Sequence, residues 1–338
     1  MLAQPQLEKL KKRIFEIQSE KEFNDLALDI FQLQWNHNPV YSRFVQCLKP
    51  GFKAGNVTHY QQIPFIPIDF FKTQEVVVEG YPVQEYFMSS GTTSQGAIQS
   101  RHYLCDLSLY EQCFSQAFRH FWGEPSDYVF LALLPNYLEQ PHSSLIHMMK
   151  GLIAQSGQPE SGFYLYDQDG LAARLQELES RGKKTMLWGV SYALLDLAES
   201  RPMPLKHTVI LETGGMKGRR KEMLKEELHQ VLCQAFHLDA IHSEYGMCEL
   251  LSQAYSVGDG LRFQCPPWMK ILIRQSQDPL CWEEEGRSGG INVIDLGNML
   301  SCPFIATQDL GKLYPDGSFA VLGRFDNSDI RGCNLMVD

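Results

Sequence analysis

Thr185 to Leu211, TMLWGVSYALLDLAESRPMPLKHTVIL, is the stretch on which the fold turns. Thr185 to Trp188 has the length and apolar character of a strand, and Ser191 sits where a helix N-cap would stand. Thr208 to Leu211 reads as a second strand. Strand, helix and strand in succession make one unit of an alternating pattern, and the pattern continues in both directions. Upstream, Tyr128 to Leu134 is an apolar run of strand length stopped by Pro135, Ser144 to Ala154 reads as helix, Gly162 to Tyr166 as strand and Leu171 to Glu179 as helix. Tyr110, Cys113, Phe114, Ala117, Phe118 and Phe121 fall on one face of a further helix. Downstream, a long helix carries Leu224, Leu228, Val231, Leu232 and Ala235 on one face. The alternation predicts an α/β fold with a largely parallel sheet.

The flanks differ in texture. Near the N-terminus, Leu7, Leu10, Ile14 and Ile17 recur at three- or four-residue steps, and Phe23, Leu26, Leu28 and Phe31 do so less regularly, predicting helices. Pro64-Phe65-Ile66-Pro67-Ile68 cannot continue them, because each proline restricts the residue before it. Val76 to Val78, enclosed by Glu75 and Glu79, predicts a short buried strand. From about Gly260, short β-like runs alternate with turns: Met269 to Ile273, Gly290 to Leu296, and Ser318 to Leu322 after Pro315-Asp316-Gly317. The expected organisation is an N-terminal helical region over 1–75, an α/β nucleotide-binding core over 76–259, and a smaller β-rich lobe over 260–338 that ends in a hinge-like segment. No internal repeat is present.

Composition limits the function. In 338 residues, 44% hydrophobic and 21% charged, there is ample material for a core. Thirty Lys and Arg against forty Asp and Glu give a net charge of −10 without a basic stripe, which argues against a nucleic-acid partner. The nine cysteines are odd in number and lack zinc spacing, and no stretch approaches the ~20 apolar residues of a membrane span. The N-terminal residues contain no uninterrupted apolar run of signal-peptide type. A soluble, cytoplasmic protein is expected.

Four segments could carry chemistry. Ser89-Ser90-Gly91-Thr92-Thr93-Ser94-Gln95-Gly96 sets hydroxyls around glycines, a composition suited to phosphate oxygens, although it lacks the GK[ST] ending of a Walker loop. As composition alone it reads better as a polar surface turn. Glu212-Thr213-Gly214-Gly215-Met216-Lys217-Gly218 follows a strand and precedes a helix, where open α/β sheets gather ligands, or is a tight turn. Ser243-Glu244-Tyr245-Gly246-Met247-Cys248-Glu249 offers a ring that can stack on a base and a carboxylate that can hold Mg²⁺; alternatively Glu249 opens the next helix as a dipole partner. Thr307-Gln308-Asp309-Leu310-Gly311 is followed by Gly323-Arg324-Phe325-Asp326-Asn327-Ser328-Asp329 and Arg331-Gly332-Cys333, each of them ordinary turn chemistry.

In this order and spacing, the set resembles the signature motifs of the adenylate-forming superfamily of acyl- and aryl-CoA synthetases and luciferases. Within it, Pro64 to Lys72 (PFIPIDFFK), the SSGTTS loop, SEYGMCELLSQAY and GRFDNSDIRGC look most like the LuxE-type acyl-protein synthetases. The resemblance runs from about Pro64 to the C-terminus and implies a layered α/β large domain with a smaller β-rich lobe. It also implies ATP and Mg²⁺ as cofactors. Ser89, Ser90, Gly91, Thr92 and Thr93 would face the β- and γ-phosphates. Gly214 and Gly215 would form a ledge beside adenine, and Tyr245 would stack on it. Glu249 would be the Mg²⁺ ligand, Asp309 would accept from the ribose hydroxyls, and Arg324 would hold the ribose–phosphate side.

Three departures accompany the likeness. No lysine lies between Ser89 and Gln99, where Arg101 could substitute. Cys248 stands where a threonine hydroxyl commonly contacts the α-phosphate. The chain stops just past GRFDNSDIRG, so the C-terminal lid domain and its lysine are expected to be lacking. The resemblance then implies activation of a carboxylic, fatty acid to an acyl-adenylate and transfer to Cys333, with onward delivery to an acyl reductase or carrier protein. Two alternatives stand beside it: an acyl- or aryl-CoA (or carrier-protein) ligase with an external acceptor, and a degenerate nucleotide-binding subunit of an acyl-processing complex.

Overall fold

A computed structural model describes residues 4–89, 98–135, 142–214, 220, 223–258 and 260–325. Helices α1 (Gln4–Ile14), α2 (Glu20–His37) and α3 (Pro39–Leu48) come first. Asn38 separates the last two. Its Oδ1 accepts from Tyr41 N and caps α3, while Pro39 takes the first helical position, where no N–H is needed. The buried Gln34 and Asn38 amides donate to the carbonyls of Met299 and Ser301, at 2.7 and 2.9 Å. These bonds dock the N-terminal helices against the far end of the sequence, beside the turn Leu296–Asn298.

Next come β1 (Ile66–Pro67), α4 (Phe70–Thr73) and the hairpin of β2 (Glu85–Met88) and β3 (Arg101–Leu104). Val76 to Val78 is not a strand. Val76 and Val78 are buried as expected, but the segment joins no ladder, and the Val78 N–H donates to Leu300 O instead. Its apolar character reports burial, which β-propensity alone cannot separate from pairing.

The α/β alternation follows the sequence reading: α5 (Leu107–Trp122), β4 (Val129–Leu133), α6 (Ser144–Ser156), β5 (Gly162–Tyr164), α7 (Gln168–Ser180), β6 (Thr185–Val190), α8 (Ser191–Ser200), β7 (Thr208–Thr213), α9 (Lys225–Phe236) and β8 (His242–Tyr245). Strands β5, β4, β6, β7 and β8 pair in parallel in that order. Every residue of β4 and β6 is buried, as a parallel sheet covered on both faces requires.

The remaining strands are β9 (Ala254–Ser256), β10 (Phe263–Gln264), β11 (Met269–Arg274), β12 (Ser288–Asp295), β13 (Phe304–Leu313) and β14 (Phe319–Arg324). They extend the same ladder in antiparallel fashion, in the order β11-β12-β13-β14-β10-β9-β8, and β1 adds in parallel to β13. Antiparallel pairing begins at β9, within the same hydrogen-bonded sheet. This carries Asp309 and Arg324, late in the sequence, to the flank of β8.

Two local expectations are corrected. Ser191 is the first residue of α8 and not its cap; Val190 holds the cap position, and the Ser191 hydroxyl donates to Glu212. No helix follows Glu249. The chain turns from β8 through Leu250 directly into β9, so Glu249 has no helix dipole to partner.

Candidate active site

Strands β7 and β8 end side by side, and ligands of α/β sheets collect beyond such carboxyl ends. Tyr245 is the last residue of β8. Its ring packs against Phe263 and Phe319, with centroids at 5.8 and 5.4 Å, and its hydroxyl donates to Asp309 Oδ2 at 2.8 Å. Burial and the Asp309 carboxylate hold the Tyr245 pKa well above its ordinary value, so the phenol keeps its proton and remains a donor. Asp309 lies opposite Arg324 in the β13–β14 register, and its Oδ1 accepts from Arg324 Nε at 3.1 Å. The Arg324 side chain is 78% exposed, so this ion pair costs little to open toward a ligand.

The turn after β8 presents Glu249, whose side chain is buried. Burial raises its pKa, opposed by the Ser100 hydroxyl that donates to it and by the charges of Arg324 and Lys72. The charge of Arg324 acts on both carboxylates, which puts the Tyr245–Asp309 pair and Glu249 in one locus. The turn is fixed from behind. Asn298 Nδ2 donates to the carbonyls of Glu249 (2.8 Å) and Cys302 (3.0 Å), and His102 Nδ1 lies 2.8 Å from Cys248 O. Burial holds the His102 pKa down at about 4, so the ring is neutral at pH 7. Losing one of these partners would orphan a buried carbonyl, at a cost of about 1–3 kcal/mol. Ser89 and Ser100 bond each other, Ser89 N to Ser100 O at 3.1 Å and Ser100 N to Ser89 Oγ at 3.0 Å. The entry to the hydroxyl-rich loop is thereby tied to the residue that touches Glu249.

Of the residues singled out from sequence, Ser89, Tyr245, Cys248, Glu249, Asp309 and Arg324 come together here. Gly214 directly follows the neighbouring strand with φ +84°, a left-handed conformation that favours glycine. Ser90, Gly91, Thr92, Thr93, Gly215 and Cys333 lie outside the described residues. Arg101 begins β3 with an exposed side chain. The Cys248 thiol is buried, and burial pushes its pKa far up. Sequence reasoning gave no role to Ser100, His102 and Asn298, and the polar run Gln99-Ser100-Arg101-His102 does not distinguish them.

It also gave none to two buried carboxylates. Glu212 and Ser243 pair across β7 and β8, and Tyr245 shares their face; Thr213, Glu244 and Tyr255 lie on the other. Glu244 accepts from the Thr213 hydroxyl, and burial pushes its pKa up to about 7. The folded protein thus keeps a proton that the unfolded chain loses near pH 4.5. Stability falls as pH rises between those values, and the full cost remains above pH 7. Glu244→Gln keeps an acceptor for Thr213 without the charge. It should stabilise the protein by about 3 kcal/mol at pH 8, at ~1.4 kcal/mol per pKa unit, with most of that gain absent at pH 5. Urea unfolding at the two pH values measures it, and an equal gain at both would refute the titration.

Comparison with solved structures follows from this geometry. ATP-bound MatB from Rhodopseudomonas palustris is similar at a TM-score of 0.55 and 19% identity, over 72% of this chain and 48% of that one. A 2-hydroxyisobutyryl-CoA ligase in complex with 2-HIB-AMP and CoA is similar at 0.65 and 14%, over 92% of this chain and 70% of that one. The fold is that of adenylate-forming enzymes. O-succinylbenzoate coenzyme A synthetase (MenE) from Bacillus subtilis, in complex with ATP and magnesium, is similar at 0.51 and 18%, over 71% and 49%. The chain spans about half the length of MatB and MenE. No family model and no curated protein matches it. Among the described residues, no helix is long and apolar enough to cross a membrane.

Proposed function

We propose that the protein activates a carboxylic acid with ATP, giving an acyl-adenylate and pyrophosphate, and passes the acyl group to the thiol of Cys333. The observation that supports this best is the hydrogen bond from Tyr245 to Asp309, with Arg324 on the other carboxylate oxygen. Residues taken from separate sequence motifs for base, ribose and phosphate thus meet at one strand end. In this reading Asp309 accepts from the ribose hydroxyls through lone pairs that remain free on both oxygens. Arg324 swings to the phosphate side, and Ser89 leads into the loop around the terminal phosphates.

The donor set also suits the metal. Mg²⁺ is commonly held by one or two carboxylates together with substrate phosphates, and Glu249 is a buried carboxylate already supported by Ser100. Among the described residues no group of three or more His, Cys, Asp and Glu gathers to hold a metal through side chains alone. When bound, the ion supplies positive charge where two anions must approach. The protein's share is orientation: His102 and Asn298 fix the Glu249 turn, and Tyr245 and Asp309 fix the nucleoside, so that a carboxylate oxygen meets the α-phosphorus in line. Attack forms the acyl–phosphate bond and expels pyrophosphate. A thiolate then attacks the acyl carbon, AMP leaves with the bonding electrons, and a thioester remains.

The LuxE-type resemblance supports a fatty acid, an acyl reductase or carrier protein as the next recipient, and a cytoplasmic setting. That setting agrees with the eight described cysteines all being free thiols. Pyrophosphate release, measured over a panel of carboxylic acids with Mg·ATP, tests the reading. Release that depends on both ATP and one class of acid is expected. ATP binding without release for any acid would favour the nucleotide-binding subunit, and release of CoA thioester would favour an external acceptor.

A further inference from the structure

A lysine at the first position of a helix carries the wrong charge for that end, where the dipole is positive. Lys225 opens α9, and its ammonium reaches across to the inner face of the sheet. Nζ lies 3.7 Å from Glu212 Oε2 and 4.3 Å from the centroid of the Phe263 ring. Glu212 is buried in β7, two residues before Gly214, and also accepts from the hydroxyls of Ser191 and Ser243. Phe263 stacks on Phe319 at 5.3 Å, and both rings seat Tyr245. One cation thereby joins the strand end that leads to Gly214 with the aromatic group that holds Tyr245.

We propose that Lys225 is a positioning residue for the nucleotide, holding Glu212 and Phe263 together so that the gap between Gly214 and Tyr245 keeps the width of a purine ring. The inference rests on reading that gap as the adenine slot. Burial lowers the Lys225 pKa, and the charges that oppose this belong to Glu212, Glu226 and Glu244, with His229 on the same helix. The three carboxyl groups favour its charge. His229, which lies 3.2 Å from Ser243 Oγ through Nε2, has its pKa lowered to about 4 by burial and is neutral at pH 7. Without the ammonium, Glu212 keeps only hydroxyl partners in a buried position, and nothing then ties the β7 end to the Phe263 ring. Movement of either changes the slot without touching the reacting atoms.

Calorimetric titration of the full chain with Mg·ATP, beside steady-state pyrophosphate release, tests this. Lys225→Met should weaken ATP binding and raise KM for ATP by about tenfold, the scale of one lost charge-assisted contact, while kcat stays within about twofold. Lys225→Arg, which can still reach Glu212 and lie over Phe263, should recover most of the affinity. Thermal unfolding of both variants keeps lost folding apart from lost binding, because a folded Lys225→Met with unaltered affinity overturns the proposal. A Lys225→Arg variant as impaired as Lys225→Met, or a fall in kcat matching the rise in KM, overturns it too. Absence of ATP binding by the unaltered protein would instead overturn the adenine-slot reading on which it stands.

Discussion

Glu249→Gln should lower pyrophosphate release by ~10²-fold or more, the scale of one electrostatic contact removed at a reacting centre. Glutamine keeps the length of the side chain and can still accept from Ser100, so the substitution isolates the charge. In the ligand-free protein that charge is a liability. Burial raises the Glu249 pKa, opposed by the Ser100 hydroxyl, by the residue's own backbone N–H and by the charges of Arg324 and Lys72. Removing the charge should therefore leave stability equal or slightly higher, and a lower melting temperature would mean that the turn had been disturbed. The turn's own supports do not involve the carboxylate: Asn298 bonds the Glu249 carbonyl, and His102 meets the Cys248 carbonyl. A stable Glu249→Gln protein with undiminished release would remove Glu249 from the chemistry.

The α/β core was legible because its signals are local. The run from Tyr128 to Leu134 reads as a strand from composition alone, since a parallel strand covered on both faces needs apolar residues at every position. Tyr245, Glu249, Asp309 and Arg324 could be picked out because their segments stand in a recognisable order. Nothing in one segment reveals that β8 and β14 belong to one sheet, because the connecting pairs β8–β9 and β10–β14 are set by long-range register. The same blindness affected individual polar residues. Ser191 has the chemistry of a helix cap, but it stands inside the helix as its first residue, and its hydroxyl donates to the buried Glu212, 21 residues away. The sequence around Lys225 carries no signal of a buried partner. Only the approach of Glu212 and Phe263 gives the lysine's position at the helix start a reason.

Incubation with labelled fatty acid and Mg·ATP should leave a hydroxylamine-sensitive label on Cys333, and Cys333→Ser should abolish it while pyrophosphate release continues. Acyl transfer needs a thiolate that the adenylate and the next acceptor can both reach. Most of the described cysteines lack one of those properties. Burial pushes Cys113 and Cys248 far up, Cys265 and Cys302 to about 12, and Cys105 to about 11, while Asp278 raises the exposed Cys281 through a hydrogen bond. Cys248 is the serious competitor, since its backbone adjoins Glu249. Its thiol, however, is held in the buried turn that His102 and Asn298 clamp, and it could not carry an acyl group outward without breaking those bonds. Cys333 follows Arg331 and Gly332, a cation that favours the thiolate and a glycine that frees the backbone. A label that survives Cys333→Ser and disappears in Cys248→Ser would reverse this choice and move the acceptor to the adenylation site itself. The onward partner would then have to reach into the turn rather than meet a carrier at the end of the chain.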